Sequence, residues 1–318
     1  MQSKLLVALC LICGGAAIAW PRVPSDAASP YQVVHGWPQL PEGFALGQVS
    51  GVGVDSHDHI FVFHRGDRPI LSFDGSTGKL LASWGDGMFA TPHGLAVDSH
   101  DNVWVTDVGH HQVFKFSHNG ELLMTVGVKD EPGLDGKHFN KPTDVVVTPT
   151  GEFYVSDGYG NSRVAKFSAR GEFLFDWGKK GDGPGEFDTP HGISLDADGR
   201  VYVADRANAR VQVFDGNGKF LAQWKSPELG RPWDVTAGPD GFVYVVDGGD
   251  MNPKPPDRGR LLKLDRQGRV LETWSSFGKY DGQIYWGHAV AVGKNGAVYV
   301  TDVNVGMRVQ KFVRKAGR

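Results

Sequence analysis

Cysteine is nearly missing from this sequence: among 318 residues only Cys10 and Cys13 carry a thiol, and both lie in one apolar N-terminal run. The rest of the chain therefore has no disulfide and no thiolate ligand, so any metal must rest on His, Asp, Glu or backbone oxygen. An excess of one charge is missing too. Lys and Arg number 33 against 36 Asp and Glu, a formal net charge of −3. That balance leaves no basic footprint for nucleic acid and no polybasic stretch for a membrane surface. Past the N-terminal segment, no apolar run is long enough to span a bilayer.

That segment reads as a secretory signal peptide over residues 1–19. Lys4 gives it a positive start, Leu5 to Ile12 an apolar stretch, and Ala17-Ile18-Ala19 a small-residue cleavage site before Trp20. Leu9 and Ile12 precede the two cysteines, where a lipoprotein site would want a small residue, so no lipid anchor is expected. The expectation is a soluble, exported protein, secreted or periplasmic, with a Pro- and Ser-containing leader over 20–30 and one folded domain over 31–318.

What is present is glycine, with 44 residues, and aromatics, with 9 Trp and 18 Phe. That mix suits many short strands joined by tight turns. The chain also repeats itself. Six segments begin a unit: VSGVGVD from Val49, TPHGLAVD from Thr91, KPTDVVV from Lys141, TPHGISLD from Thr189, RPWDVTA from Arg231 and WGHAVAV from Trp286. A second strand follows each one, as in VWVTDV, VYVADR and VYVTDV. A third follows, as in HQVFKF and MRVQKF, and a fourth often ends in Trp, as in LLASWG. Pro92, Pro142, Pro190 and Pro232 are spaced by 50, 48 and 42 residues. Four alternating strands at that period predict an all-β fold, a six-bladed β-propeller. The wording of the repeats resembles the NHL family. The sixth unit lacks a fourth strand, and an unfilled blade would leave an open edge. Tyr31-Gln32-Val33-Val34, followed by His35-Gly36-Trp37, resembles the missing strand, so the N-terminal strand is expected to close the ring. Two three-bladed domains would be the alternative, but no linker-like stretch divides the chain.

In a propeller the first strand of each blade lines the central channel. The third residue of the last five motifs, with Ser50 in the first, is then equivalent around one mouth: Ser50, His93, Thr143, His191, Trp233 and His288. Histidine occupies alternate blades, about 120° apart in a six-blade ring. Three inward imidazoles with an open fourth position suit catalytic zinc. Consensus histidines capping a strand would recur in every blade, and three blades lack them. The other histidines are expected elsewhere: His57, His59, His100 and His118 in solvated turns, and His35, His64 and His138 as structural or supporting residues. His110 and His111 share a loop that could approach the site.

Asp107, Asp157, Asp205, Asp247 and Asp302 recur at the ends of second strands, which marks them as structural. Arg65, Arg206 and Tyr159 do not recur, and all three fall on loops of the histidine face. Two guanidiniums beside a metal imply a substrate carboxylate. A tyrosine in that company can serve as a base.

At this point the motifs become specific. QVSGV with FHRGD, PHG with WVTDV and HQVFK, HF-x-KPTDV with VSDGY-x-NSR, and PHG with VADR resemble the peptidyl-α-hydroxyglycine α-amidating lyases over nearly the whole chain past the signal. The resemblance implies zinc on His93, His191 and His288, Tyr159 as base, and Arg65 and Arg206 around the substrate. It implies cleavage of a peptide or N-acyl C-terminal α-hydroxyglycine into an amide and glyoxylate. It also implies a calcium ion held by the backbone of Val52 and Leu95 and by an Asp after the third histidine, where this chain has Ala289. Trp286-Gly287 stands where the family has Met-Pro, and Asn140 and Gly160 stand at one of its cysteine pairs. No counterpart of the copper monooxygenase half is seen, so a separate monooxygenase would supply the substrate. Two other classes stay open on the residues alone: a metal-dependent hydrolase or lactonase, and a non-catalytic NHL interaction module.

Overall fold

The computed structural model of the chain describes residues 29–251 and 257–316. Residues 1–19, read above as a signal peptide, and residues 20–28 of the expected leader lie outside them. The described residues form 24 strands in six four-stranded antiparallel sheets and contain no helix. The chain is a six-bladed β-propeller. Its innermost strands are Gln48–Val54, Pro92–Val97, Asp144–Val147, Pro190–Leu195, Pro232–Ala237 and Gly287–Val292.

Apolar packing between blades holds the ring. The second strands, such as Val103–Asp107 and Val201–Asp205, are buried along their whole length, because each faces a different neighbour on either side. Val103 and Val105 pack with Phe61 and Phe63 of blade one, while Trp104 turns to Phe153 and Val155 of blade three. The same alternation continues around the molecule and returns to the start, where Tyr299 and Val309 meet Ile60 and Val62. Outer strands such as Leu122–Val126 alternate between exposed and half-buried positions, as a solvent-facing edge should.

The N-terminal strand closes blade six as expected. Tyr31–Val33 pairs antiparallel with Arg308–Arg314, matching Tyr31 to Arg314 and Val33 to Phe312. The Tyr31 ring stacks on Trp274 at 4.2 Å, and Trp37 packs against Tyr299 at 5.1 Å.

The recurring aspartates set the position of the mouth. Asp107 accepts the backbone N–H groups of Ala90 and Thr91, each at 2.7 Å. Asp302 accepts those of Tyr285 and Trp286. Asp157, Asp205 and Asp247 take the equivalent N–H of Asn140, Asp188 and Arg231. Each carboxylate thus ties the chain entering a first strand to the end of the second. Charged partners, such as Arg163 on Asp157 and Arg210 on Asp205, compensate its burial.

Candidate metal centre and active site

A break in strand pairing places the histidines. Pairing of first with second strand slips between Pro92 and Leu95, between Pro190 and Ile193, and between Gly287 and Val290. Each slip frees the His and the residue after it from the ladder, and a bulge of this kind re-aims a side chain. Glycine follows His93 and His191 for a steric reason. A Cβ on Gly94 would run into Asp144 of the next blade, and one on Gly192 into Asp234.

His93, His191 and His288 are 1%, 2% and 3% exposed, and their ligand nitrogens lie within 4.8 Å of one another. Ring centroids are separated by 4.8, 4.6 and 4.7 Å at interplanar angles of 68–69°, a three-fold arrangement about the channel axis. Each Nδ1 donates to a backbone carbonyl of the following blade: His93 to Thr143 at 2.6 Å, His191 to Trp233 at 2.6 Å and His288 to Ser50 at 2.7 Å. That bond fixes the tautomer and leaves every Nε2 a bare lone pair. Sequence reasoning placed Ser50, Thr143 and Trp233 at positions equivalent to the histidines but gave them no role. Their carbonyls orient the three rings, and a carbonyl leaves no mark on residue identity.

Electrostatics keep the rings neutral. Burial, with the Arg65 guanidinium behind it, lowers the pKa of His93 to about 3. Burial and Arg206 hold His191 well below its ordinary range, and burial with His93 and Arg65 does the same for His288. Three neutral imidazoles converge on one point, and His288 Nε2 is buried with no hydrogen-bond partner. An orphaned lone pair inside such a cluster is what a tetrahedral-type metal ion satisfies, so the donor set fits zinc.

The non-recurring residues meet at the same mouth. Tyr159 Oη lies 3.1 Å from His93 Nε2 and 3.1 Å from His191 Nε2. Arg206 donates from Nη1 to that oxygen at 3.2 Å, and its guanidinium sits 4.5 Å above the Trp233 ring. Both loops hang from the strand entrances, since Tyr159 N donates to Lys141 O and Arg206 N to Thr189 O. Lys141 and Thr189 hold φ of 63° and 62°. For a β-branched residue such as Thr189 that is strained backbone, two residues from a site histidine. Arg65 is anchored from Nε to Pro92 O and from Nη1 to Gln48 Oε1, and burial lowers its pKa.

Other candidates fall away from the mouth. His110 pairs with Asp130, and His111 accepts from Lys141 N, so that loop does not deliver a ligand. His64 caps Gly47 and Arg68, His35 pairs with Asp281 and His138 with Asp135. Four residues expected to be separate turn decoration do not all behave so: His57, His59 and His118 gather around Asp55. The calcium set fails at Ala289, which has no carboxylate. The same channel instead holds Asp144 and Asp234, which accept the N–H groups of Ile193 and Val290. Val52 and Leu95 line that stretch of channel.

The NHL repeat profile matches residues 89–116, 139–167 and 187–214. Peptidyl-glycine alpha-amidating monooxygenase B of Xenopus laevis is 37% identical, over 88% of this chain and 36% of its own length. The chain thus spans about a third of that longer relative. Peptidyl-alpha-hydroxyglycine alpha-amidating lyase 2 of Drosophila melanogaster is 34% identical over 93% of this chain and 79% of its own. Among solved structures a streptogramin B lyase superposes with a TM-score of 0.62 over 90% of this chain and 98% of that one. At 15% identity it shows the fold alone.

Proposed function

The chain belongs to the peptidyl-α-hydroxyglycine α-amidating lyase family and is an enzyme of the amidating-lyase type, and from that premise we propose that it splits a C-terminal α-hydroxyglycine into an amide and glyoxylate. The observation that carries this reading is the phenol oxygen of Tyr159, 3.1 Å from two of three converging imidazole nitrogens and 3.2 Å from Arg206.

His93, His191 and His288 would hold zinc, which supplies Lewis acidity toward the substrate hydroxyl. Tyr159 is the base that takes the hydroxyl proton. The freed electron pair becomes the aldehyde C=O of glyoxylate, the C–N bond breaks, and the nitrogen leaves with that bond's electrons. Return of that proton from Tyr159 to the nitrogen completes the amide. No water is consumed and no electron carrier is needed. Arg206 donates to the Tyr159 oxygen and holds it at the mouth. Arg65, held by Pro92 and Gln48, and Arg206 attract the substrate carboxylate. A hydrolase or lactonase would want a carboxylate ligand or base at the mouth. The three-histidine group among the described residues has a phenol and a guanidinium there instead.

The substrate class is a peptide or N-acyl group ending in α-hydroxyglycine, made by a monooxygenase acting on a C-terminal glycine. The test is glyoxylate release from benzoyl-α-hydroxyglycine. A chelator should stop it and zinc should restore it. Zinc-loaded protein that releases no glyoxylate above the spontaneous rate would remove this assignment.

A further inference from the structure

At the opposite ends of the same strands, the turn after Gln48–Val54 and the turn after Gln112–Phe116 come together. Asp55 from the first is 5% exposed. Its Oδ1 accepts the backbone N–H groups of His57 and His59 at 2.8 and 2.7 Å, which fixes the carboxylate. Its Oδ2 lies 2.9 Å from His59 Nδ1 and 2.9 Å from His118 Nε2, and those two nitrogens are 3.4 Å apart. An edge contact with Phe61, at 5.5 Å and 83°, holds the His118 ring. His118 comes from blade two and its three contacts come from blade one.

Hydrogen bonding alone fits this geometry poorly. To bond one oxygen, both nitrogens must carry hydrogen, and the two N–H dipoles then aim their positive ends into the same small space. A cation in their place satisfies all three atoms at once. A triangle with edges of 2.9, 2.9 and 3.4 Å has a circumscribed radius of about 1.8 Å, inside the ~2.0–2.2 Å bonds of zinc to imidazole and carboxylate. An ion about 1 Å off the plane of the three atoms therefore reaches all of them. Each neutral ring need only carry its proton on the other nitrogen. His57 stands beside the triangle but is held by other partners, its Nδ1 3.3 Å from Asp101 Oδ2 and 3.2 Å from Ser56 Oγ. His59 and His118 side chains are 27% and 36% exposed, so an ion can enter from solvent.

We propose that Asp55, His59 and His118 form a second transition-metal site, on the rim opposite the channel mouth. Two imidazoles and one carboxylate select zinc, nickel or copper(II) over calcium or magnesium, which prefer all-oxygen shells. An ion there staples blade one to blade two and stabilises the folded chain by mass action.

The test compares metal content in the full chain, equilibrated with zinc and then freed of loosely held ion. Wild type should hold one more zinc per chain than the His59→Ala/His118→Ala double variant, and nickel should give the same difference. Asp55→Asn, which keeps an oxygen for the turn, should also lose that one ion. Added zinc should raise the unfolding temperature of wild type more than that of either variant. The mouth histidines are intact in all three proteins, so the difference is independent of the reaction assigned above. Equal zinc content in wild type and both variants overturns the proposal.

Discussion

The two ends of the innermost strands each gather three histidines, and they prepare them differently. At the mouth each Nδ1 is already bonded to a carbonyl, each ring is buried, and the three Nε2 atoms face one another beside the Tyr159 oxygen. At the rim, two imidazoles hang from one carboxylate oxygen and remain partly open to solvent. The difference lies in who does the orienting. Backbone carbonyls from three other blades orient the mouth, so its geometry is that of the whole ring. One aspartate orients the rim between two neighbouring blades, so its geometry depends on that pair and not on the whole ring. A site of the first kind is pre-organised for chemistry, while a site of the second kind suits a structural ion.

The sharpest way to break this comparison is to remove one histidine at each end. His93→Ala, His191→Ala or His288→Ala should each lose the channel ion and bring glyoxylate release down to the spontaneous rate. His59→Ala should leave that rate unchanged. Metal content and initial rates on benzoyl-α-hydroxyglycine check both halves. A single mouth variant that keeps its full rate would end the idea of a shared site.

Next in size comes Tyr159→Phe. The phenol oxygen is all that it removes, so fold and channel ion should remain while the rate falls by about 10²–10⁴-fold, the usual worth of a positioned base. Arg206→Ala should cost less, through the lost donor to Tyr159 and weaker capture of the carboxylate. An active Tyr159→Phe would keep the lyase and discard the base.

Much of the mouth was legible because a propeller repeats. Equal register in six units converts sequence offset into position around a circle, so histidines in alternate blades had to converge. The closing strand was legible for a related reason: MRVQKFV lacked a successor, and the chain before Val49 held one strand to spare. The slipped pairing beside each histidine, and the carbonyls that set the tautomers, depend on backbone between blades and have no residue signature. The rim cluster escaped because turns were read one blade at a time. His59 and His118 are 59 residues apart, and only side-by-side packing of blades one and two brings them to one oxygen. The exclusion of calcium ligation at Ala289 could be read directly, but the carboxylates of Asp144 and Asp234 in the same channel drew no attention inside KPTDV and RPWDV.

Ring closure distinguishes the two sites in another way. Deleting residues 29–37 removes the strand on Arg308–Arg314, the Tyr31–Trp274 stack and the Trp37–Tyr299 contact. Loss of two buried aromatics costs about 3–5 kcal/mol each, so the unfolding temperature should fall clearly. His288 rides on the blade left open, whereas the rim ligands belong to blades one and two. Loaded with zinc, the truncated protein should therefore release metal from the channel at a lower denaturant concentration than from the rim. Simultaneous release of both ions would show that the rim is no more local than the mouth.

The smallest expected effect tests what the channel does to charge. Burial pushes its imidazoles down, and it pushes its carboxylates up: Asp234 to about 7, and Asp144 in the same direction, with the charge of Asp234 adding to its burial. Both shifts favour neutral groups in the buried channel. For the carboxylates the consequence has a definite sign. Between pH 4 and 7 the folded chain keeps protons that the unfolded chain, with ordinary carboxylates, has released. Stability contributed by these groups is therefore present at the acid end and is lost as pH rises through the folded value. Asp234→Asn cannot ionise, and it also relieves Asp144 of a neighbouring charge. Its unfolding free energy should decline less steeply than that of wild type between pH 4 and 8, measured by urea unfolding at several pH values in the metal-free protein. Parallel slopes for the two proteins would mean that the channel holds Asp234 as an ordinary carboxylate, and that neutrality is a property of the mouth alone.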